Sequence, residues 1–306
     1  MSDLALPLPV ARAALGAMYR VALHNRLPFS LQRTLIDIGS RLQPVPSDTT
    51  VRRLRLAGRP AERLDSAGAD GHPAAVLYLH GGGYAVGSLA THRSLAARLA
   101  RDTGSPVYAL DYRLAPEHPF PAAVDDAVAA FRELVGRHGY RPDRIAIAGD
   151  SAGGGLALAT AQRLIAHHGH TPAALGLIAP WVDPNQTPKR RRDLVVDSLW
   201  SRACAAAYLG DGDPTDPGYA PLHGVLSGLP PTCIQVDTGE LLHPQCVELA
   251  EALRAAGVTV RFTETHGLWH VAHLQAALVR PAAAVLTEMA EFLREGLRPA
   301  PLRDLG

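Results

Sequence analysis

Cysteine is nearly absent: the 306 residues hold three, Cys204, Cys233 and Cys246. They are far apart, odd in number and form no Cys-x-x-Cys, so nothing supports a disulfide framework or a zinc site. They read as reduced, mostly buried thiols. An excess of charge of one sign is also missing. Thirty Lys and Arg face 29 Asp and Glu, a formal charge of +1, which gives no electrostatic case for nucleic acid or for an anionic membrane. No apolar run reaches the roughly 18 residues of a spanning helix, so no stable membrane anchoring is expected. The opening Met1-Ser2-Asp3-Leu4 lacks a basic stretch, and Pro7, Pro9 and Arg12 interrupt its apolar run, so it does not read as a signal peptide. The expectation is a cytoplasmic protein. There is no internal repeat or low-complexity segment, and Lys189-Arg190-Arg191-Arg192 reads as a solvated face.

What is present is a patterned, apolar chain. At 47% hydrophobic and 19% charged residues it can bury a full core, as one large α/β domain or two smaller ones. Helical spacing runs through 10–18 and 31–38, is broken by Pro28 and ends near Pro44 and Pro46. From Val51 to Leu56 the pattern alternates. Short apolar runs at 74–79, 106–110, 144–148, 173–179, 232–236 and 258–262 then alternate with helical stretches, the signature of a mostly parallel sheet covered on both faces, a doubly wound α/β architecture. Between Pro180 and Thr232 lie about fifty residues outside this rhythm, a length that marks a functional insertion. Trp200, Tyr208 and a turn-rich 210–217 lie within it. It reads as part of a lid that packs with the N-terminal helices.

Two motifs carry the chemistry. His80-Gly81-Gly82-Gly83-Tyr84 comes directly after the apolar run Ala74-Ala75-Val76-Leu77-Tyr78-Leu79, and Gly149-Asp150-Ser151-Ala152-Gly153-Gly154 directly after Arg144-Ile145-Ala146-Ile147-Ala148. A serine hydroxyl is a weak nucleophile unless presented to a base. Gly-x-Ser-x-Gly achieves this with a sharp strand-to-helix turn, placing Ser151 at the sheet's edge and the Ala152 N–H where an oxyanion forms. The glycine run supplies the other donors, Gly81 and Gly82, because backbone can approach an oxyanion closely only where side chains are absent. A phosphate loop would want Lys and Ser or Thr after its glycines; Tyr84-Ala85-Val86 supplies neither.

The order Ser, acid, His requires a base and a carboxylate further on. His270 lies a short loop beyond the last strand-like run, with His273 its main rival and His266 a weaker one; His167, His168 and His170 lie in a polar turn and read as solvated. Glu240 and Asp237, just beyond 232–236, are the candidate acids that would orient the imidazole.

From about residue 70 onward the chain resembles the bacterial hormone-sensitive-lipase-type esterases of the α/β-hydrolase superfamily. Besides the two glycine motifs, the resemblance rests on Asp111-Tyr112-Arg113-Leu114-Ala115-Pro116-Glu117-His118-Pro119-Phe120-Pro121-Ala122-Ala123, on Pro180-Trp181-Val182-Asp183 and on Gly228-Leu229-Pro230-Pro231-Thr232. It implies an α/β-hydrolase fold with an eight-stranded, mostly parallel sheet flanked by helices under a helical cap. The cap would comprise 1–48 and 182–220, and the catalytic domain 49–181 and 221–306. The family acid is commonly Asp in an Asp-Pro-Leu segment, but a branch with Gly-Ser-Asp-Glu-x-Leu-Leu is thought to use the glutamate. Here Asp237-Thr238-Gly239-Glu240-Leu241-Leu242 places Glu240 at the acid position and Gly239 where the neighbouring Asp would be.

The resulting expectation is a serine carboxylesterase for small to medium-chain uncharged esters, with Ser151, His270 and Glu240 as triad and Gly81, Gly82 and Ala152 as oxyanion donors. Tyr84, Val86, Leu199, Trp200, Tyr208, Leu268 and Trp269 are the expected pocket lining. No metal or organic cofactor is needed. Lactone or amide hydrolysis would use the same triad. The plant gibberellin receptors, which resemble this family and bind without turnover, have lost the histidine that His270 supplies here. Homo-oligomers are frequent in the family, so a homodimer is compatible with the sequence.

Overall fold

The computed structural model describes residues 6–40, 43–66 and 71–298; Met1-Ser2-Asp3-Leu4 and the outer ends of the expected segments 1–48 and 221–306 lie outside the described residues. Eight strands form one sheet: β1 (Thr49–Leu56), β2 (Arg59–Ser66), β3 (Ala75–Leu79), β4 (Val107–Leu110), β5 (Ile145–Asp150), β6 (Leu175–Ile178), β7 (Thr232–Asp237) and β8 (Val260–Thr265). Their order is β1-β2-β4-β3-β5-β6-β7-β8. β1 and β2 run antiparallel at one edge and β2 pairs antiparallel with β4; all other pairs are parallel.

The central strands are short, wholly buried apolar runs, as strands covered on both faces must be. Side chains alternate between the two faces. In β3, Ala75, Leu77 and Leu79 enter one core with helices α4 (Ala122–Gly136), α5 (Ala152–His168) and α7 (His243–Ala255). Val76 and Tyr78 enter the opposite core with α3 (Leu89–Thr103) and α8 (Arg280–Gly296).

β2 is the strand that hydropathy does not announce. Arg59-Pro60-Ala61-Glu62-Arg63-Leu64-Asp65-Ser66 is mostly polar, yet pairing on both sides makes it a strand. Its buried Glu62 is matched by a two-pronged bond from Arg93 at 2.7 and 2.8 Å, and Arg63 pairs with Asp65 at 2.9 Å. Tertiary pairing overrides local pattern here.

Three further helices sit at the C-terminal ends of the parallel strands: α1 (Leu8–Ala22), α2 (Phe29–Ser40) and α6 (Ser198–Leu209). Trp200 of α6 donates to Gln32 of α2 at 2.8 Å. Within the expected insertion 182–220, α6 is the single helix and 183–197 is irregular. Among the described residues no helix is long and apolar enough to cross a membrane, and the three cysteines are buried and unpaired.

Candidate active site

Ser151 occupies the turn between β5 and α5, with φ 51° and ψ −120°. A side chain in that region stores about 1–3 kcal/mol of strain and persists only when its surroundings over-determine it. They do so here. Ser151 N donates to Ile178 O at 2.8 Å, and Ser151 O accepts the amides of Trp181, Gly154 and Gly155 at 2.8 to 3.1 Å. The flanking glycines are required by closeness of approach: a Cβ on Gly149 would collide with the Gly153 carbonyl, and one on Gly153 with the carbonyls of Leu79 and His80.

The loop after β8 carries His270 to this turn. Its Nε2 lies 2.9 Å from Ser151 Oγ and its Nδ1 lies 2.6 Å from Glu240 Oε2, all three side chains being buried. A carboxylate can only accept, so Nδ1 carries the proton and Nε2 presents its lone pair to the serine hydroxyl. Glu240 is fixed by the Asp237 N–H, which donates to its other oxygen at 2.8 Å. Burial works against charge on His270, but the Glu240 carboxylate outweighs it, with help from Asp193 and Asp150, and the imidazole pKa lies above its ordinary value.

The rivals are engaged elsewhere. Asp237 accepts from the Gly239 N–H, the Thr265 hydroxyl and the Leu268 N–H at 2.8 to 2.9 Å, so it pins the histidine loop and does not meet the ring. His273 faces Gln235 at 3.0 Å, and His266 faces Thr238 at the surface.

The oxyanion loop departs from expectation at one residue. The Gly81 N–H is not free: it donates to Asp150 Oδ1 at 3.0 Å. Asp150 is buried on the inner side of the serine turn, where it also accepts from Tyr78 Oη at 2.6 Å and lies 3.3 Å from His92 Nε2. Burial would raise its pKa; the partners His92, Tyr78 and His80 hold it below the usual carboxylate value. Among the described residues, the Gly82, Gly83 and Ala152 amides donate to no protein acceptor. Gly82 (φ 119°) and Gly83 (φ 60°) supply the left-handed backbone of this bend. Of the two expected donors, Gly81 is thus engaged by the carboxylate beside Ser151, while the Gly82 amide and its neighbour Gly83 are left open. The Asp in Gly-Asp-Ser-Ala-Gly was the available signal.

A cavity of about 260 Å³ opens beside Ser151 and His270. Of the expected lining, Val86 and Trp200 are there. Five residues are not. Tyr84 and Tyr208 stack on each other with ring centroids 3.6 Å apart inside the core. Leu199 is 44% exposed on the outer face of α6. Leu268 and Trp269 pack with Ala11 and Val279 and border a smaller cavity behind Glu240. Their places are taken by Leu15 and Tyr19 of α1, Leu23 at its C-terminal end, Ile36 of α2, and Val195, Leu274 and Leu278. The i, i+4, i+8 spacing of Leu15, Tyr19 and Leu23 was the legible sign of one apolar helix face. Among the described residues no cluster of metal-ligating side chains is arranged to hold an ion.

Comparison with known proteins agrees with this fold. The sequence profile of the alpha/beta hydrolase fold matches residues 76–274. The chain belongs to the α/β-hydrolase family, in its bacterial hormone-sensitive-lipase-type branch. A crystal structure of an esterase from the bacterial hormone-sensitive lipase family superposes with a TM-score of 0.87 at 37% identity, covering 94% of this chain and 98% of that one. An acetyl-hydrolase of Streptomyces hygroscopicus is 41% identical over 247 residues, 78% of this chain and 82% of that protein. An ethyl acetate hydrolase of Pseudomonas putida is 37% identical over 236 residues, 73% and 74% of the two chains.

Proposed function

We propose that the protein is a serine carboxylesterase acting on small to medium-chain uncharged esters. The observation that carries this is the unbroken relay Ser151 Oγ, His270 Nε2, His270 Nδ1, Glu240 Oε2, with links of 2.9 and 2.6 Å. His270 takes the hydroxyl proton as Ser151 Oγ bonds to the ester carbon, and Glu240 stabilises the imidazolium. The tetrahedral oxygen accepts from the Gly82, Gly83 and Ala152 amides, and the positive end of α5 adds to them. His270 then returns the proton to the departing alcohol. Water attacks the acyl-enzyme by the same route and frees Ser151.

The substrate class follows from the apolar lining and the 260 Å³ cavity, and from relatives named for acetyl and ethyl acetate hydrolysis. The cap comprises α1, α2 and the segment around α6, whose side chains close the cavity over Ser151. A cytoplasmic location is supported by three buried, unpaired thiols.

A panel of p-nitrophenyl esters from acetate to decanoate, with lactones and anilides alongside, tests the reading. Turnover should be greatest for short and medium acyl chains and should fall at least about 10⁴-fold in Ser151→Ala. Absence of ester turnover by the pure protein would overturn it, and faster lactone or anilide turnover would redirect it.

A further inference from the structure

Most side chains around the cavity are apolar, and several of the polar ones, such as Ser40 and Thr91, already donate to backbone carbonyls at 2.7 to 2.8 Å. Gln275 differs. It lies on the short turn Ala272–Gln275 beyond His270, is 4% exposed, and lines the cavity. Its Oε1 accepts the Trp269 indole N–H at 2.9 Å. An indole nitrogen can only donate, so this bond fixes which end of the amide is oxygen. Trp269 does not border this cavity, and the end turned away from the indole is the nitrogen. That buried Nε2 has no hydrogen-bond partner. A buried donor without an acceptor is uncommon and calls for one. Tyr19 of α1 lines the same cavity. Burial raises its phenol pKa, and the Gln275 amide, directed toward the phenol oxygen though outside strict hydrogen-bond geometry, pulls the other way.

Resting on the esterase reading, we propose that the Gln275 amide N–H, with the Tyr19 hydroxyl beside it, forms a polar subsite for an oxygen atom that the substrate carries away from the ester being cut. The preferred esters are then uncharged and oxygenated, bearing an ether, hydroxyl or second carbonyl oxygen in place of a methylene. A carboxylate is disfavoured, because Asp150 lines the same cavity and acts on the Tyr19 phenol, and Glu240 and Asp193 add negative charge beside His270.

The test compares isosteric pairs. On the acyl side, p-nitrophenyl hexanoate is set against p-nitrophenyl 3-ethoxypropanoate and 4-methoxybutanoate; on the alcohol side, heptyl acetate against 2-butoxyethyl acetate. The readout is the oxygen-to-alkyl ratio of kcat/KM, divided by the same ratio for spontaneous hydrolysis. In the wild type at least one pair should exceed the Gln275→Leu value by about tenfold, the worth of one well-placed hydrogen bond. Gln275→Glu keeps the acceptor for Trp269 and removes the amide donor, so it should lose the preference as well, and Tyr19→Phe should lose part of it. Equal ratios in the wild type and the variants would overturn the subsite. Should the Gln275 variants fail to fold, a wild-type ratio near one at every oxygen position overturns it equally.

Failure of the esterase reading is separable, since no ester of either kind would then be cleaved. In that event calorimetry decides: 2-butoxyethanol should bind about tenfold tighter than 1-heptanol relative to the same comparison in Tyr19→Phe and Gln275→Leu. Equal affinities would sink the subsite.

Discussion

The two halves of the site are built differently. The proposed reacting groups stand on turns that leave the ends of parallel strands: Ser151 after β5, Glu240 after β7, His270 after β8. Ser151 and Glu240 are clamped by backbone hydrogen bonds, the loop that carries His270 is pinned by the Asp237 carboxylate, and the glycines beside Ser151 cannot accept a Cβ without colliding with main chain. The cap is tied down by side chains. Arg33 of α2 donates to the carbonyls of Ala85 and Ala115 at 2.8 and 2.7 Å and pairs with Glu117, and Arg12 of α1 donates to the Gly267 and Leu268 carbonyls at 2.7 and 2.8 Å. Val10 and Val21 of α1 and Ile38 of α2 remain more than half exposed. On the proposed reading, chemistry is placed on the strand-end framework and substrate choice on the part joined by a few polar latches.

Substitutions that separate the two halves sharpen this comparison. The largest effect is expected from Glu240→Gln, a fall in kcat of about 10³-fold with the fold intact. Because the Glu240 carboxylate raises the His270 pKa, and the base works only when neutral, the wild-type acid limb of kcat/KM should lie above about pH 6.5. Its removal should move the limb of the residual activity to lower pH; an unmoved limb would contradict the relay. Asp237→Asn should act on stability, costing about 1–3 kcal/mol as an amide group meets backbone donors, with a much smaller loss of kcat. Comparable kcat losses in the two variants would erase the distinction between acid and loop anchor. In the cap, Trp200→Ala should enlarge the cavity and shift preference toward longer acyl chains by roughly tenfold, measured as a ratio of kcat/KM values. Leu199→Ala, one residue earlier and on the outside, should change nothing beyond about 0.5 kcal/mol in stability.

Legibility in the sequence divides along the same line. Backbone-determined features leave marks: apolar runs for the central strands, glycines where main chain approaches main chain, a serine between them. The histidine and acid are readable because the order along the chain is constrained by where parallel strands end. The cap leaves fainter marks. Tyr84 and Tyr208 read as lining because aromatics suit a pocket, but their flat faces stack on each other and on the core. Leu199 and Trp200 are adjacent, and a helix sends adjacent residues to different faces, so at most one of them could face the substrate. Gly81 reads as an oxyanion donor only while Asp150 passes for a spacer inside its motif. A buried carboxylate next to free amides captures one, and here it captures the first. β2 is silent because β4, its strand partner on one side, and Arg93, which matches its buried Glu62, lie distant in sequence.

The most direct test of the central claim is covalent labelling with a fluorophosphonate and peptide mapping of the adduct. It requires Ser151 to be activated by His270 within reach of oxyanion donors, whatever the natural ester. A single adduct on Ser151, formed far more slowly in His270→Ala, is the expected result. A protein that stays unlabelled, or one labelled at another serine with Ser151 untouched, would contradict the account.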